Sequence, residues 1–178
     1  MRLKEIAENI ARLDGVEVEE THARLRNPLM KQLLESEPGR SRNSPANFSE
    51  AELYRARLLL ACADCGLTTA DLEKVNAKLN DIPIHGGQAP GSAKGVGYGT
   101  GLACIIRGAE AGEEWFVCVK FKRLSNGRRD VVPHVRYVEW DDFENGGTEA
   151  LDDLNGRQHL GTLNVAASDL IAPLFNRA

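Results

Sequence analysis

Long apolar runs are missing from this chain. No segment approaches the roughly 20 consecutive apolar residues that a membrane-spanning helix needs. The opening Met1-Arg2-Leu3-Lys4-Glu5 also lacks the apolar core of a signal peptide, so a cytoplasmic location is expected and no membrane partner is. Net positive charge is missing as well: 22 Lys and Arg stand against 26 Asp and Glu, a balance of −4. Such a chain has no global attraction for nucleic acid, and any DNA binding must rest on a local basic patch. A phosphate-cradling loop is a third absence. Glycines crowd residues 86–101, but Lys94 is not followed by Ser or Thr and no apolar strand precedes them. The G-x-x-x-x-G-K-[ST] arrangement that holds a nucleotide is therefore not there.

Cysteine is scarce, with four residues in the chain. In a cytoplasmic protein Cys62, Cys65, Cys104 and Cys118 are expected as reduced thiols. Cys62-Ala-Asp-Cys65 has the C-x-x-C spacing of zinc and redox sites. No second close pair completes a zinc site, however. The pair also falls near a helix end before Gly66, whereas a redox thiol gains from a helix N-terminus. Both residues read as small, mostly buried helix residues, and neither a metal nor a cofactor is expected. Glu139, Asp141, Asp142 and Glu144 cluster late in the chain, near His134 and His159. Their spacing matches no metal motif, and no enzymatic activity is expected.

What is present suits a soluble globular protein: 42% hydrophobic and 27% charged residues in a chain of 178, enough for one ordinary domain or two small ones. The spacing predicts a helix over 3–13, with Leu3, Ile6, Ala7, Ile10 and Leu13 on one face, stopped at Asp14-Gly15. A second helix is expected from Val18 or Glu19 to about Asn27, where Pro28 ends or kinks it and Leu29 to Leu34 add another turn or two. Residues 35–47 are a turn-rich loop carrying Arg40 and Arg42. Helices over about 50–65 and 69–79 follow. Ser49 with Glu52 and Thr68 with Asp71 have capping-box spacing, and Phe48 with Leu53 and Leu67 with Leu72 that of a hydrophobic staple.

Residues 81–101 read as a flexible Gly-rich linker. Beyond them the period changes to two. Strands are expected over Leu102–Arg107, Trp115–Arg123 and Val131–Trp140, with a short one over Thr162–Ala166. The strand from Trp115 is apolar on both faces at its start and so reads as central. Asn126-Gly127 signals a hairpin, Pro133 marks its strand as an edge, and Ser168 could cap a final turn before Pro173. Lys120, Lys122, Arg123, Arg128 and Arg129 would charge the hairpin tip, where solubility at a sheet edge is the plainer purpose. The fold class expected is α+β. A helical domain over 1–80 and a linker over 81–101 precede a small antiparallel β-sheet domain over 102–178, suited to dimerisation or partner binding.

The first two helices have helix-turn-helix proportions, in which the second helix enters the major groove. At 100° per residue Val18, Thr21, His22, Leu25 and Leu29 face the core, leaving Glu20, Ala23, Arg24 and Asn27 outward and Arg26 on a flank. Arg24 is the best base reader, because its planar fork matches guanine O6 and N7. Asn27 could pair with adenine or cap the helix, and Glu20 could accept from cytosine or repel phosphate. Lys31, Arg40 and Arg42 suit phosphates. Within residues 24–57 seven basic residues face four acidic ones, although over 1–80 the numbers are twelve and thirteen.

Residues 3–79 resemble the winged-helix DNA-binding domain of MerR-like regulators. The likeness rests on Leu3-Lys4-Glu5-Ile6-Ala7, Gly15-Val16, the loop through Arg40 and Arg42, Phe48 to Leu53 and Gly66 to Leu72. It implies that the second helix reads the major groove through Glu20, Thr21, Arg24 and Asn27, while Arg40 and Arg42 form a basic wing. The chain also resembles small regulatory proteins of bacterial prophages that pair such a domain with a β-rich tail. Pro28 departs from the family pattern, and so does the glycine linker where a long dimerisation helix would run. The function expected is sequence-specific binding of double-stranded DNA by a homodimeric transcriptional regulator, with a further protein contact through the C-terminal domain. The alternative is a protein-interaction module or adaptor without direct DNA binding.

Overall fold

The computed structural model describes residues 1–37, 46–83, 99–137 and 158–175. Arg40, Arg42, most of the glycine segment and the carboxylates from Glu139 to Glu144 lie outside them. The chain is α+β and divides into two compact units, Met1–Glu73 with Leu170–Ala178, and Lys74–Asp169. The first unit ends at Glu73 and takes in the C-terminal segment. No helix among the described residues is long and apolar enough to cross a membrane.

In the first unit α1 (Leu3–Asp14) buries Ile6, Ala7, Ile10 and Ala11, the stripe that a 3.6-residue period dictates. Gly15 ends it at φ 66°, left-handed, with Val16 N–H donating to the Ala11 carbonyl. Only glycine takes that conformation without steric cost, and the chain turns into α2 (Val18–Arg26). Pro28 then stands at the first turn of α3 (Pro28–Gln32), where its missing N–H costs nothing. A new helix axis puts Leu29 out of phase: it is 47% exposed, while Met30, Leu33 and Leu34 are buried. The assignment of Leu29 to the core is corrected accordingly.

The strands β1 (Ser36–Glu37) and β2 (Asn47–Phe48) pair antiparallel, Ser36 opposite Phe48 and Glu37 opposite Asn47. Helix α4 (Glu50–Asp64) is buried along most of its length and on every side, so it is the central helix of the unit. Helix α5 (Thr69–Asn80) opens with the expected capping box: Thr68 N–H donates to Asp71 at 3.0 Å and Asp71 N–H to Thr68 Oγ1 at 3.4 Å. The box expected at Ser49 does not form. Ser49 makes no side-chain cap, because Glu52 is drawn instead to Arg55 Nε at 3.0 Å and the Glu35 N–H at 2.8 Å.

The C-terminal segment completes this unit. Ile171 and Leu174 are fully buried, and the Phe175 ring meets Tyr54 edge-on at 5.4 Å. Arg57, on α4 and buried, donates to the Leu170 carbonyl and to Asp14 Oδ1 at 2.6 Å. One guanidinium thus ties together the end of α1, the central helix and residues 170–175.

The second unit holds α6 (Gly101–Glu110), β3 (Trp115–Arg123), β4 (Arg129–Tyr137), β5 (Gln158–Ala166) and the start of α7 (Ala167–Ile171). The strand expected over Leu102–Arg107 is a helix. Its buried Gly101, Leu102, Cys104, Ile105 and Gly108 follow helical spacing, and Thr100 Oγ1 caps it by accepting from Ala103 N–H. A short apolar run does not by its period separate the two structures; here the cap decides. The sheet order is β4-β3-β5, all antiparallel, so the strand from Trp115 is central as its two apolar faces imply. Gly127 turns the hairpin at φ 80°, and Pro133 sits on an edge strand opposite Val119. At the tip Arg129 lies over the Phe121 ring, whereas the Lys122 side chain is buried and does not stand out from the sheet. Ser168 lies inside α7 rather than capping it, and its Oγ accepts from Trp115 N–H at 2.9 Å. Gly108 admits Trp115 because a Cβ there would stand 2.0 Å from the indole nitrogen.

Two substitutions test the closure of the first unit. Leu174→Ala is expected to cost about 2–5 kcal/mol, and Arg57→Ala about 3 kcal/mol, both read from urea midpoints. Losses under about 1 kcal/mol at both sites would show that residues 170–175 do not pack there.

Candidate nucleic-acid interface

Helix α2 packs on α1 through Thr21 and Leu25, both buried, with Val18 and His22 half-buried. Glu19, Glu20, Ala23, Arg26 and Asn27 are exposed, and Lys31 is exposed on α3. The structure therefore leaves Glu20, Arg26, Asn27 and Lys31 on the surface. Thr21 is 2% exposed and is removed from the candidate set, since a side chain that fills the α1–α2 contact cannot also touch a base. The same helical phase that assigned Thr21 to the core had already marked it.

Arg24 stands differently from expectation. Its Nη2 lies 2.5 Å from Asp64 Oδ1 and 3.5 Å from the Leu60 carbonyl, and the side chain is 37% exposed. The guanidinium leans onto α4 instead of standing outward from α2. Asp64 was not visible as its partner, because the two residues are 40 positions apart and no local period links them. An exposed pair of this kind contributes only about 0–1 kcal/mol, so the fork is oriented more than it is locked.

Asn27 does the capping work open to it in sequence. Its Oδ1 accepts from Leu29 N–H at 3.0 Å at the start of α3. Between α3 and α5 a shallow groove of about 220 Å³ is lined by Leu29, Met30, Leu33, Leu60, Leu67 and Leu72, with Arg24 and Asn27 on its wall.

The loop between β1 and β2 is closed at its base by the short ladder. The Met1 backbone extends that base, exchanging bonds with Phe48 in both directions at 2.8 Å. Glu52 and Arg55, 3% and 4% exposed, fasten β1 to α4, with Arg55 also 3.8 Å from Glu35. Burial pushes the Glu52 carboxyl above its ordinary value, and the Glu35 N–H and Arg55 oppose it. The sequence between the two strands, residues 38–46, holds Arg40 and Arg42 and no carboxylate. Helix α2 itself is acidic at its start, where Glu19 and Glu20 occupy the first turn.

The cysteines are free. Burial pushes the Cys62 thiol up to about 12 and Cys104 to about 11, which makes them poor nucleophiles and poor ligands. Cys65 is exposed at the helix end, a correction to its expected burial. Among the described residues no three His, Cys, Asp or Glu side chains are grouped to hold a metal. Partial desolvation, with the Lys120, Lys122 and Lys78 charges, lowers the His134 pKa, although the side chain is exposed on β4. No family model, curated protein or solved structure matches the chain.

The Glu52 site yields a pH-dependent expectation. A carboxyl whose pKa rises on folding stabilises the fold most below its unfolded value and loses that contribution as pH climbs through the folded one. The stability of the native chain relative to Glu52→Gln is expected to fall as pH rises above about 4.5. Parallel stability curves, measured by urea unfolding, would contradict it.

Proposed function

We propose that the chain is a double-stranded DNA-binding transcriptional regulator that acts as a homodimer. Helix α2 enters the major groove and the β1–β2 loop reaches adjacent phosphates. The observation that carries this reading is the succession α1, left-handed Gly15, α2, then a two-stranded ladder closing a loop whose charged residues are Arg40 and Arg42. A helix supported from behind and a basic loop anchored at its base suit groove readout beside backbone contact.

Within that reading Arg26 takes the base-reading part given to Arg24 by sequence, because it is exposed while Arg24 is turned onto Asp64. Glu20 and Asn27 lie on the same exposed stretch. Lys31, Arg40 and Arg42 supply charge to phosphates. Two copies are invoked because one small module contacts few base pairs, and paired half-sites multiply specificity.

A second reading, a protein-interaction module, is favoured by the groove beside the exposed Leu29. Salt separates the two, since phosphate-driven binding weakens steeply as salt rises. Arg40→Ala is expected to weaken binding to all duplexes and to reduce the salt slope by about one counterion. Arg26→Ala is expected to cost about 1–3 kcal/mol on the preferred site and to relax one base position. Fluorescence anisotropy over a salt series measures both. Equal loss on preferred and random duplex refutes base reading by Arg26, and an unchanged slope refutes the phosphate contact of Arg40.

A further inference from the structure

The two edges of the β4-β3-β5 sheet are protected very differently. Strand β4 carries Arg129, Asp130, Arg136 and Pro133, the charges and proline that keep a sheet edge from pairing with a stranger. Strand β5, Gln158–Ala166, has the sequence QHLGTLNVA: nine residues without Asp, Glu, Lys, Arg or Pro. Among the described residues no strand pairs with its far side.

We propose that β5 pairs antiparallel with β5 of a second copy of this chain, joining two three-stranded sheets into one of six. Chemistry selects a second copy as the occupant. An antiparallel pair is self-complementary, so one strand meets its duplicate about a two-fold axis. Self-pairing of β5 sets no charges opposite one another and needs every backbone N–H it has, whereas a self-pair of β4 would place Pro133, which has no N–H to donate, at its centre. The exposed side chains Thr162 and Asn164 can meet their own kind or each other, and such matched hydroxyl and amide pairs stabilise cross-strand contacts. Leu160, 43% exposed, stands at the end of this stretch.

The ladder with β3 is irregular between Phe121 and Lys122, where Gly161 and His159 are the successive partners and Leu160 is passed over. A bulge bends its strand and interrupts pairing. The regular template is therefore Gly161–Ala166, a short interface, and the dimer is a weak, reversible one of the kind small interfaces form. The homodimer belongs to the function proposed above. The strand that forms it rests on the sheet alone: dimers that persist in both variants below would remove β5 as the interface and leave the homodimer in place, whereas loss of DNA binding would not touch the sheet pairing.

Sedimentation of the full-length chain from about 1 to 200 μM, a range suited to weak association, is the experiment. The native chain is expected to pass from monomer to dimer. Thr162→Lys with Asn164→Lys, and separately Thr162→Glu with Asn164→Glu, are each expected to stay monomeric at the top of the range. An equimolar mixture of the two variants is expected to dimerise again, because opposite charges then face each other, and this recovery also shows that both variants fold. A native chain monomeric throughout overturns the proposal. Dimers that persist in both variants overturn it as well, as does a mixture that remains monomeric.

Discussion

The buried guanidinium of Arg57 is the contact on which the first unit depends. It binds Asp14, the last residue of α1, and the Leu170 carbonyl, while its own helix α4 forms the centre of the unit. Burying a charge is costly unless it is paired and hydrogen-bonded, and the Arg57 Nε is buried without a hydrogen-bond partner. The two bonds it donates must therefore hold. Because Asp14 immediately precedes the left-handed Gly15, the same contact fixes where the chain turns from α1 into α2. The helix proposed to enter DNA is thereby positioned in part by residues from the far end of the sequence.

A second buried pair does comparable work for the loop. Glu52 and Arg55 hold the Glu35 backbone against α4, and Met1 pairs with Phe48 on the other side of the ladder. Buried ion pairs add little to stability but are costly to break by halves. Here they set the position of β1 and β2, and hence where the segment carrying Arg40 and Arg42 leaves and re-enters the unit.

What could be read from sequence was local. The helices from Leu3, Glu50 and Thr69, the Gly15 stop, the Thr68–Asp71 box and the Asn126-Gly127 hairpin each arise from residues a few positions apart. What could not be read was set by distant partners. Ser49 and Glu52 have the right spacing for a cap, but Arg55 and Glu35 compete successfully for the carboxylate. Arg24 has the right phase to face outward, but Asp64 draws it onto α4. Leu102 to Ile106 are compatible with strand or helix until Thr100 caps them. The return of residues 170–175 to the first unit leaves no periodic trace, since Ile171 and Leu174 are too few to define a face. The exposure of Glu20, Arg26 and Asn27 follows from the helical phase of α2, and the same phase sends Thr21 to the core.

The proposed regulator and its short ladder make one claim above the others: α2 meets duplex DNA in a sequence-dependent way, twice per assembly. Selection of bound duplexes from a random-sequence library by the full-length chain, followed by sequencing, measures this most directly. The account predicts enrichment of a two-fold symmetric motif whose half-sites are spaced by about one helical turn or a multiple of it. Recovery of no motif above the starting library, at salt concentrations where the chain is folded, would contradict it.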